Sequence, residues 1–136
     1  MKLLPPAALI PSNLKKEHSM SPEAQKLAQA LLDHHRKVWR PPSKASPSVE
    51  PCLIGYGDLC EGAGLSHLKP NIGRFLREIA QWCHDNSWPP LNALAVNHDI
   101  RRPGHGYDGA PGCSLDRWQD EAAACIRFAD YPDRVA

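Results

Sequence analysis

The sequence lacks any long apolar run. Of its 136 residues 42% are hydrophobic, and no stretch approaches the roughly 18 consecutive apolar residues that a membrane-spanning helix needs. Prolines interrupt the apolar N-terminal segment before it reaches the length of a signal peptide. These absences predict a cytoplasmic protein that does not contact a membrane.

The sequence also lacks an excess of charge of either sign and a regular cysteine spacing. Sixteen Lys and Arg residues oppose 15 Asp and Glu residues, so the net charge is +1. Bulk charge therefore does not hold this chain on nucleic acid, although 16 cations are enough to form a local basic face. The five cysteines are odd in number and none stands in a CxxC spacing, which predicts reduced thiols rather than a disulfide scaffold.

Proline is unusually frequent, with 14 copies, about twice the average usage, and these prolines divide the chain into segments. Ser21 can cap a helix, Pro22 fits the first helical turn, and the pair that begins at Pro41 stops the helix. We therefore predict four parts: a flexible N-terminal arm at 1–20, a helix at 21–39, a Pro- and Ser-rich linker at 40–51, and a core domain at 52–136.

The core domain shows helical patterns on either side of one buried strand pattern. Apolar residues at helical spacing predict an amphipathic helix at 70–85 and a last helix at about 114–129. The apolar run at 91–97 lies between turn signals and predicts a buried strand, and a polar, glycine-rich loop follows it. The predicted class is α+β, an α-rich, winged-helix-like domain with a small sheet.

His98, Asp99 and His105 are the richest local set of groups that could carry chemistry. In a small hydrolase or nuclease, His98 would act as a general base that Asp99 orients. Adjacent side chains at a strand end point apart, however, and no second acidic cluster is present to hold a catalytic metal. We therefore expect no enzyme activity and keep catalysis as the third hypothesis. The ligand spacings in this loop are too wide for zinc, so neither a metal nor a cofactor is expected.

Two pairs of arginines predict a local basic surface. Arg74 and Arg77 neighbour each other on the polar side of the predicted amphipathic helix, and Arg101 and Arg102 lie in the loop that follows. A helix and a loop that both present arginines are what a winged-helix protein offers to DNA phosphates. The leading hypothesis is a non-catalytic DNA-binding protein whose loop at 98–109 acts as the wing.

Three short segments of the core carry a family resemblance. They are Gly55-Tyr56-Gly57-Asp58-Leu59-Cys60, Asn71-Ile72-Gly73-Arg74-Phe75-Leu76 and Pro89-Pro90-Leu91-Asn92-Ala93-Leu94-Ala95-Val96-Asn97. They resemble the winged-helix domain of alkylguanine-DNA alkyltransferases and alkyltransferase-like proteins. That family has a Tyr-Gly-x-Leu-Ala element, a helix with Arg-x-Val-Gly, and a strand with Pro-Cys-His-Arg-Val or Pro-Trp-His-Arg-Val. The resemblance covers about residues 53–109 and implies a DNA-facing fold.

Some residues of this sequence match the family's motifs and others depart from them, and both bear on what the resemblance implies. Tyr56 matches the family's tyrosine, and Gly73 matches the helix glycine. The alkyl-accepting cysteine would fall near Pro90 or Leu91, neither of which is a nucleophile. The arginine that replaces a flipped base would fall near Lys69 or Pro70. The resemblance therefore implies DNA contacts around Tyr56 and Lys69 and argues against alkyl transfer.

The N-terminal helix supports a second hypothesis, a protein-interaction module such as an inhibitor or immunity factor of a mobile element. Leu27, Leu31 and Val38 lie on one face of the helix at 22–39, with Trp39 beside them. This face could dock on a protein partner or on a second copy of the chain. It could equally pack on the chain's own core, so both a monomer and a dimer stay open.

Overall fold

A computed structural model describes residues 20–43, 45 and 47–135. Within these ranges the α-helices are α1 (Pro22–Val38), α2 (Tyr56–Gly62), α3 (Ile72–Asp85) and α4 (Trp118–Arg127), and the strands are β1 (Ile54–Gly55) and β2 (Ala95–Val96). Short 3-10 helices lie at Glu50–Cys52, Ser66–Asn71, Leu91–Leu94, His105–Gly109 and Leu115–Arg117. The fold is α+β and α-rich, with one small sheet, as predicted. The predicted arm lies outside the described residues except for Met20, which is buried.

Helix α1 forms where its caps predict it. The Ser21 hydroxyl accepts a hydrogen bond from the Ala24 backbone N–H at 3.2 Å, which satisfies one of the free donors of the first turn. Leu27 and Leu31 are fully buried in the core that α1 shares with α3. Because this face packs internally, it is not available to a partner.

A carboxylate from α3 fixes the start of α1. Ser21 donates to the two carboxylate oxygens of Glu78, from its backbone N–H at 2.7 Å and from its hydroxyl at 2.9 Å. These are charge-assisted bonds, which are stronger than bonds between neutral groups. They hold the start of α1 against the middle of α3.

The two strands pair in parallel, Ile54 with Ala95 and Gly55 with Val96. Helices α2 and α3 form the connection between them, as parallel strands require. The largest fully buried side chains come from all three long helices, from α2 and from the segment before and within β2; they include Trp82, Leu27, Leu31, Leu59, Ile79, Leu91, Leu94, Val96 and Ile126. A single apolar core therefore positions the sheet.

Three predicted boundaries are wrong. The predicted strand at 91–97 begins as the 3-10 helix Leu91–Leu94, and only Ala95–Val96 pair as a strand. All residues from 91 to 96 are buried, so the apolar run shows no period that separates a strand from a buried helical turn. The helices predicted at 70–85 and 114–129 begin later, at Ile72 and Trp118, because a 3-10 turn precedes each.

Two adjacent histidines attach α1 to the core on two sides. The Nε2 atom of His34 lies 2.7 Å from the Cys52 carbonyl oxygen, and the Nε2 atom of His35 lies 2.9 Å from the Cys125 carbonyl oxygen. Neighbouring residues of a helix point about 100° apart, so the two rings reach different segments. His35 is buried and its ring meets the Tyr131 ring edge-on at 4.8 Å. The His35 ring is therefore part of the core and not of the solvated surface of α1.

The buried ring of His35 predicts that stability falls in mild acid. Burial lowers the pKa of the His35 imidazole below the usual value of histidine, about 6.5. The unfolded chain then binds the proton more readily, so the contribution of neutral His35 is complete above about pH 6.5 and is lost as the pH falls below it. Urea denaturation between pH 7.5 and pH 5 measures this loss.

The matched variants are His35→Gln and His67→Gln. Glutamine at 35 can still donate to the Cys125 carbonyl but does not titrate, so this variant is expected to lose less stability in acid than the parent chain. His67 is exposed, and its replacement is expected to leave the acid dependence unchanged. Equal acid dependence in the parent and His35→Gln would contradict the assignment.

Candidate nucleic-acid interface

The carboxyl ends of β1 and β2 meet at one edge of the sheet. Tyr56 follows β1 directly, and Asn97 and His98 follow β2, so parallel pairing brings these residues together. His98 packs on the backbone of Gly55, where an added Cβ would lie 3.4 Å from the Cβ of His98. A cleft of about 260 Å³ opens at this edge, lined by Gly55, Tyr56, Gly57, Asp58, Lys69, Asn97, His98 and Asp99.

The Tyr56 hydroxyl joins this cleft to the loop that follows β2. Its oxygen accepts a hydrogen bond from the Gly104 backbone N–H at 2.8 Å. Burial raises the pKa of the Tyr56 phenol, so the hydroxyl keeps its proton at neutral pH and can also donate. Tyr56 was predicted as a contact residue, and the structure places it between the cleft and a second, smaller cavity.

This smaller cavity, which we call the Asn92 cavity, has a volume of about 110 Å³. Its lining residues are Tyr56, Ile72, Gly73, Leu76, Arg77, Asn92, Ala95, Gly104, Gly106, Tyr107 and Ala110. Asn92 is only 2% exposed, and its Nδ2 atom lies 3.7 Å from the Cys113 sulfur, outside the lining. Its Oδ1 atom is buried and has no hydrogen-bond partner among the described residues. Asn92 was not among the predicted site residues, although a polar residue inside an apolar run is a visible signal.

The second tyrosine of the cavity is held by a carboxylate. The Tyr107 hydroxyl donates to Oε1 of Glu121 at 2.5 Å, and the Ser114 backbone N–H donates to the same oxygen at 3.1 Å. Burial, together with the neighbouring carboxylate, raises the pKa of Tyr107. The Tyr107 hydroxyl therefore donates its proton to Glu121, and this bond fixes one wall of the cavity.

The predicted arginines do not all meet on one surface. Arg77 lines the Asn92 cavity and donates from Nη1 to the Gly109 carbonyl oxygen at 2.7 Å. Arg74 is exposed, with its guanidinium carbon 5.1 Å from the centre of the Phe75 ring. Arg101 and Arg102 line a separate groove of about 580 Å³, which Arg117 also lines.

Arg101 has a structural partner that the sequence did not reveal. Its Nε atom donates to Oε1 of Glu50 at 3.0 Å, and its backbone has a positive φ of 54°. A positive φ strains a residue other than glycine, so the surrounding bonds must hold this conformation. Arg102, in contrast, is exposed.

Asn97 organises the turn that contains Arg101. Asn97 and Arg102 form an antiparallel bridge, in which the Asn97 N–H donates to the Arg102 carbonyl oxygen at 2.8 Å. The side-chain oxygen of Asn97 accepts from the backbone N–H groups of Asp99 and Ile100 at 2.9 and 3.3 Å. The turn projects Ile100, whose side chain is 61% exposed. The predicted wing is thus a short, tightly bonded turn followed by a 3-10 helix.

The three residues of the catalytic hypothesis are only partly brought together. His98 and Asp99 line the cleft, whereas His105 is exposed at the start of a 3-10 helix and does not line it. The side chains of His98 and Asp99 make no hydrogen bond to each other in the described part of the chain.

Across residues 20–43, 45 and 47–135, no group of three His, Cys, Asp or Glu side chains is placed to hold a metal ion. No helix within these ranges is long and apolar enough to cross a membrane.

Comparisons of the chain with protein-family models, with curated proteins and with solved structures find no match. The resemblance to alkyltransferase-like proteins therefore stays a prediction from the sequence. The geometry itself assigns Tyr56 and Lys69 to the cleft, and Tyr56 and Arg77 to the cavity.

Replacing Tyr56 with phenylalanine tests the bond between the cleft and the loop. The variant keeps the ring but leaves the partly buried Gly104 N–H without an acceptor, and we expect a loss of about 1 kcal/mol in the free energy of unfolding. The Gly104 amide should then exchange with solvent faster, which hydrogen exchange followed by NMR measures. Unchanged exchange at Gly104 would show that the bond does not hold the loop.

Proposed function

We propose that this protein binds DNA and does not catalyse a reaction on it. The observation that carries the proposal is a set of cations around the start of α3 that form no ion pair with any other residue that the structure describes. Lys69 precedes the helix, and Arg74 and Arg77 lie in its first two turns. All three residues are exposed.

Lys69 shares its cleft with Asp58 and Asp99, but neither carboxylate forms an ion pair with a cation of this set among the described residues. In the described part of the chain, ion pairs of arginine form at other places, between Arg36 and Asp33 or Asp133, between Arg101 and Glu50, and between Arg117 and Glu121. The first turn of α3 contains no acidic residue. The amino end of a helix carries a partial positive charge, which adds to the attraction of the three cations for phosphate.

The two arginines of the loop have different parts in this proposal. Arg101 is paired with Glu50 and holds the turn, so it contributes shape rather than a phosphate contact. Arg102 is exposed and can reach a second phosphate from the turn. The helix start would contact one stretch of backbone and the turn another, which is the arrangement of a helix and a wing.

Removing two cations tests the proposal. We expect Lys69→Ala with Arg74→Ala to weaken DNA binding and to lower the slope of log K against log salt by nearly two, because each phosphate contact contributes about 0.9 to the slope. Fluorescence anisotropy on a duplex of random sequence at several salt concentrations measures both quantities. Arg77 is kept because it also supports the Gly109 loop.

The matched control is Lys26→Ala with Lys37→Ala, which removes two exposed cations from α1. The control changes the net charge equally, so a local interface predicts little change in its salt slope. Two results would overturn the proposal. One is no binding by the parent chain at low salt, and the other is the same slope change in both double variants.

A protein-interaction role is the second candidate, and Trp39 favours it. Trp39 is 38% exposed. It lines a groove of about 240 Å³ together with His35, Tyr131 and Pro132. Large aromatic side chains at a surface are frequent anchors of protein interfaces.

Sedimentation velocity of the parent chain and of Trp39→Ala separates this candidate from the first. A dimer that the substitution dissociates would favour a self-interaction through Trp39. A monomer in both samples, with DNA binding intact, would remove the groove as a self-association surface.

A further inference from the structure

Helices α1 and α4 end side by side, next to the proline-rich linker. The Arg40 backbone N–H donates to the Ile126 carbonyl oxygen at 3.1 Å, and the Trp39 indole N–H donates to the Arg127 carbonyl oxygen at 3.3 Å. Both Arg40 and Arg127 line a pocket of about 380 Å³, which we call the linker pocket. Main-chain bonds between the two helix ends therefore bring two arginines to one pocket.

The linker pocket has cations without a counter-charge. Among its described lining residues, none is acidic. Arg40 and Arg127 form no ion pair with any residue that the structure describes. Arg127 is half-buried, so water only partly compensates its charge. Two like charges at one pocket repel each other, and an anion bound between them replaces this repulsion with attraction.

Arg40 retains free donors that face this pocket. Its Nη1 atom donates to the Val38 and Trp39 carbonyl oxygens at 2.9 and 3.2 Å, which satisfies the end of α1. Its Nε and Nη2 atoms have no hydrogen-bond partner among the described residues. Burial raises the pKa of the Cys52 thiol and the positive charge of Arg40 opposes this rise, so Arg40 lies near Cys52, which lines the same pocket.

Two arginines and a hydroxyl match a phosphate group. A phosphomonoester carries between one and a half and two negative charges at neutral pH and three strong acceptor oxygens, whereas a carboxylate carries one charge. Guanidinium groups bind such oxygens through two parallel N–H bonds. Ser48 also lines the pocket and supplies a neutral hydroxyl donor. We propose that the linker pocket binds a small phosphomonoester whose phosphate lies between Arg40 and Arg127.

The volume and the remaining walls set the size of the ligand. Small-molecule sites have volumes of about 300–1,000 Å³, and the linker pocket lies near the lower end of this range. Pro41, Pro47 and Pro51 line it and supply apolar contacts beside the two arginines. This combination fits a phosphate that is attached to a single ring.

A phosphomonoester of this kind has two sources. It can come as a free small molecule, or as the 5′-terminal phosphate of a nucleic-acid strand. The same phosphate would occupy the pocket in both cases. The inference does not require the proposed function, because a free phosphomonoester needs no contact with Lys69 or Arg74.

Phenyl phosphate is the first probe, and NMR titration of the full chain is the measurement. We expect saturable shifts of the backbone amides of Arg40, Ser48 and Arg127. Phenol has the same ring without the phosphate, and benzoate has a single charge, so both are expected to bind at least about tenfold more weakly. These comparisons use the parent chain, so the result does not depend on how a variant folds.

Single substitutions test the two arginines directly. We expect Arg40→Gln and Arg127→Gln each to lower the affinity for phenyl phosphate at least about tenfold, because each removes charge-assisted bonds to the phosphate. Arg127→Lys keeps the charge but not the planar pair of donors, so its affinity should lie between those of the parent chain and Arg127→Gln.

The matched control is Arg134→Gln, which removes an exposed arginine outside the pocket lining. It changes the net charge equally, and its affinity for phenyl phosphate is expected to equal that of the parent chain. Melting temperatures of all variants show whether each one is folded.

Single strands identify the source of the phosphate. A thymidine oligonucleotide with a 5′-phosphate and the same strand without it are compared on the parent chain and on Arg127→Gln. A gain in affinity from the 5′-phosphate that Arg127→Gln abolishes supports a strand end. Binding of phenyl phosphate that depends on Arg127, without such a gain, supports a free small molecule.

The inference is overturned if phenol or benzoate binds as tightly as phenyl phosphate. It is also overturned if neither phenyl phosphate nor the 5′-phosphate depends on Arg40 and Arg127. Lys69→Ala with Arg74→Ala is expected to keep the parent affinity for phenyl phosphate. The proposed DNA binding is therefore judged separately, by the salt slope of that double variant.

Discussion

The backbone pairing of β1 with β2 is the constraint on which the cleft and the neighbouring cavity depend. Each strand has two residues, and the segments between them include α2 and α3. The pairing places the start of α2 beside the turn after β2, so Tyr56 and His98 reach one edge although they are far apart in sequence. The shared core beneath the sheet must hold this register, since two short strands are only marginally stable alone.

Tyr56 makes the cleft and the Asn92 cavity parts of one surface. Its ring lines both, and its bond to Gly104 ties the loop after β2 to the helix start after β1. Lys69 lines the cleft on one side of Tyr56, and Arg77 lines the cavity on the other. Under the proposed function, a DNA strand that contacts both cations would pass over Tyr56. The bonds between Glu78 and Ser21 fix α3, which carries Arg77, against α1.

Local signals were enough to predict part of this structure. Ser21, Pro22 and Pro41 predicted α1 to within one residue of its observed bounds, because caps and prolines act on their own neighbours. The run at 91–97 was wrongly predicted to be a strand throughout. Every one of its first six residues is buried, so the pattern of apolar residues does not distinguish a strand from a buried 3-10 turn. The role of Arg101 could not be predicted, since Glu50 is distant in sequence and meets it only in the folded chain. Asn92 was visible as a polar residue among apolar ones, but its unpaired oxygen is a property of the packing.

The five cysteines differ in how far solvent can reach them. All five cysteines lie in the described residues and are free; Cys52, Cys60, Cys83 and Cys125 are buried, and Cys113 is half-buried. Burial raises the pKa of the Cys83 thiol to about 12, so at neutral pH it remains a protonated thiol that reacts slowly. Burial raises the pKa of the Cys113 thiol as well, so Cys113 differs from the other four cysteines in its exposure. That cysteine touches the amide of Asn92, so a reporter attached there would stand beside the cavity without any residue having to be replaced.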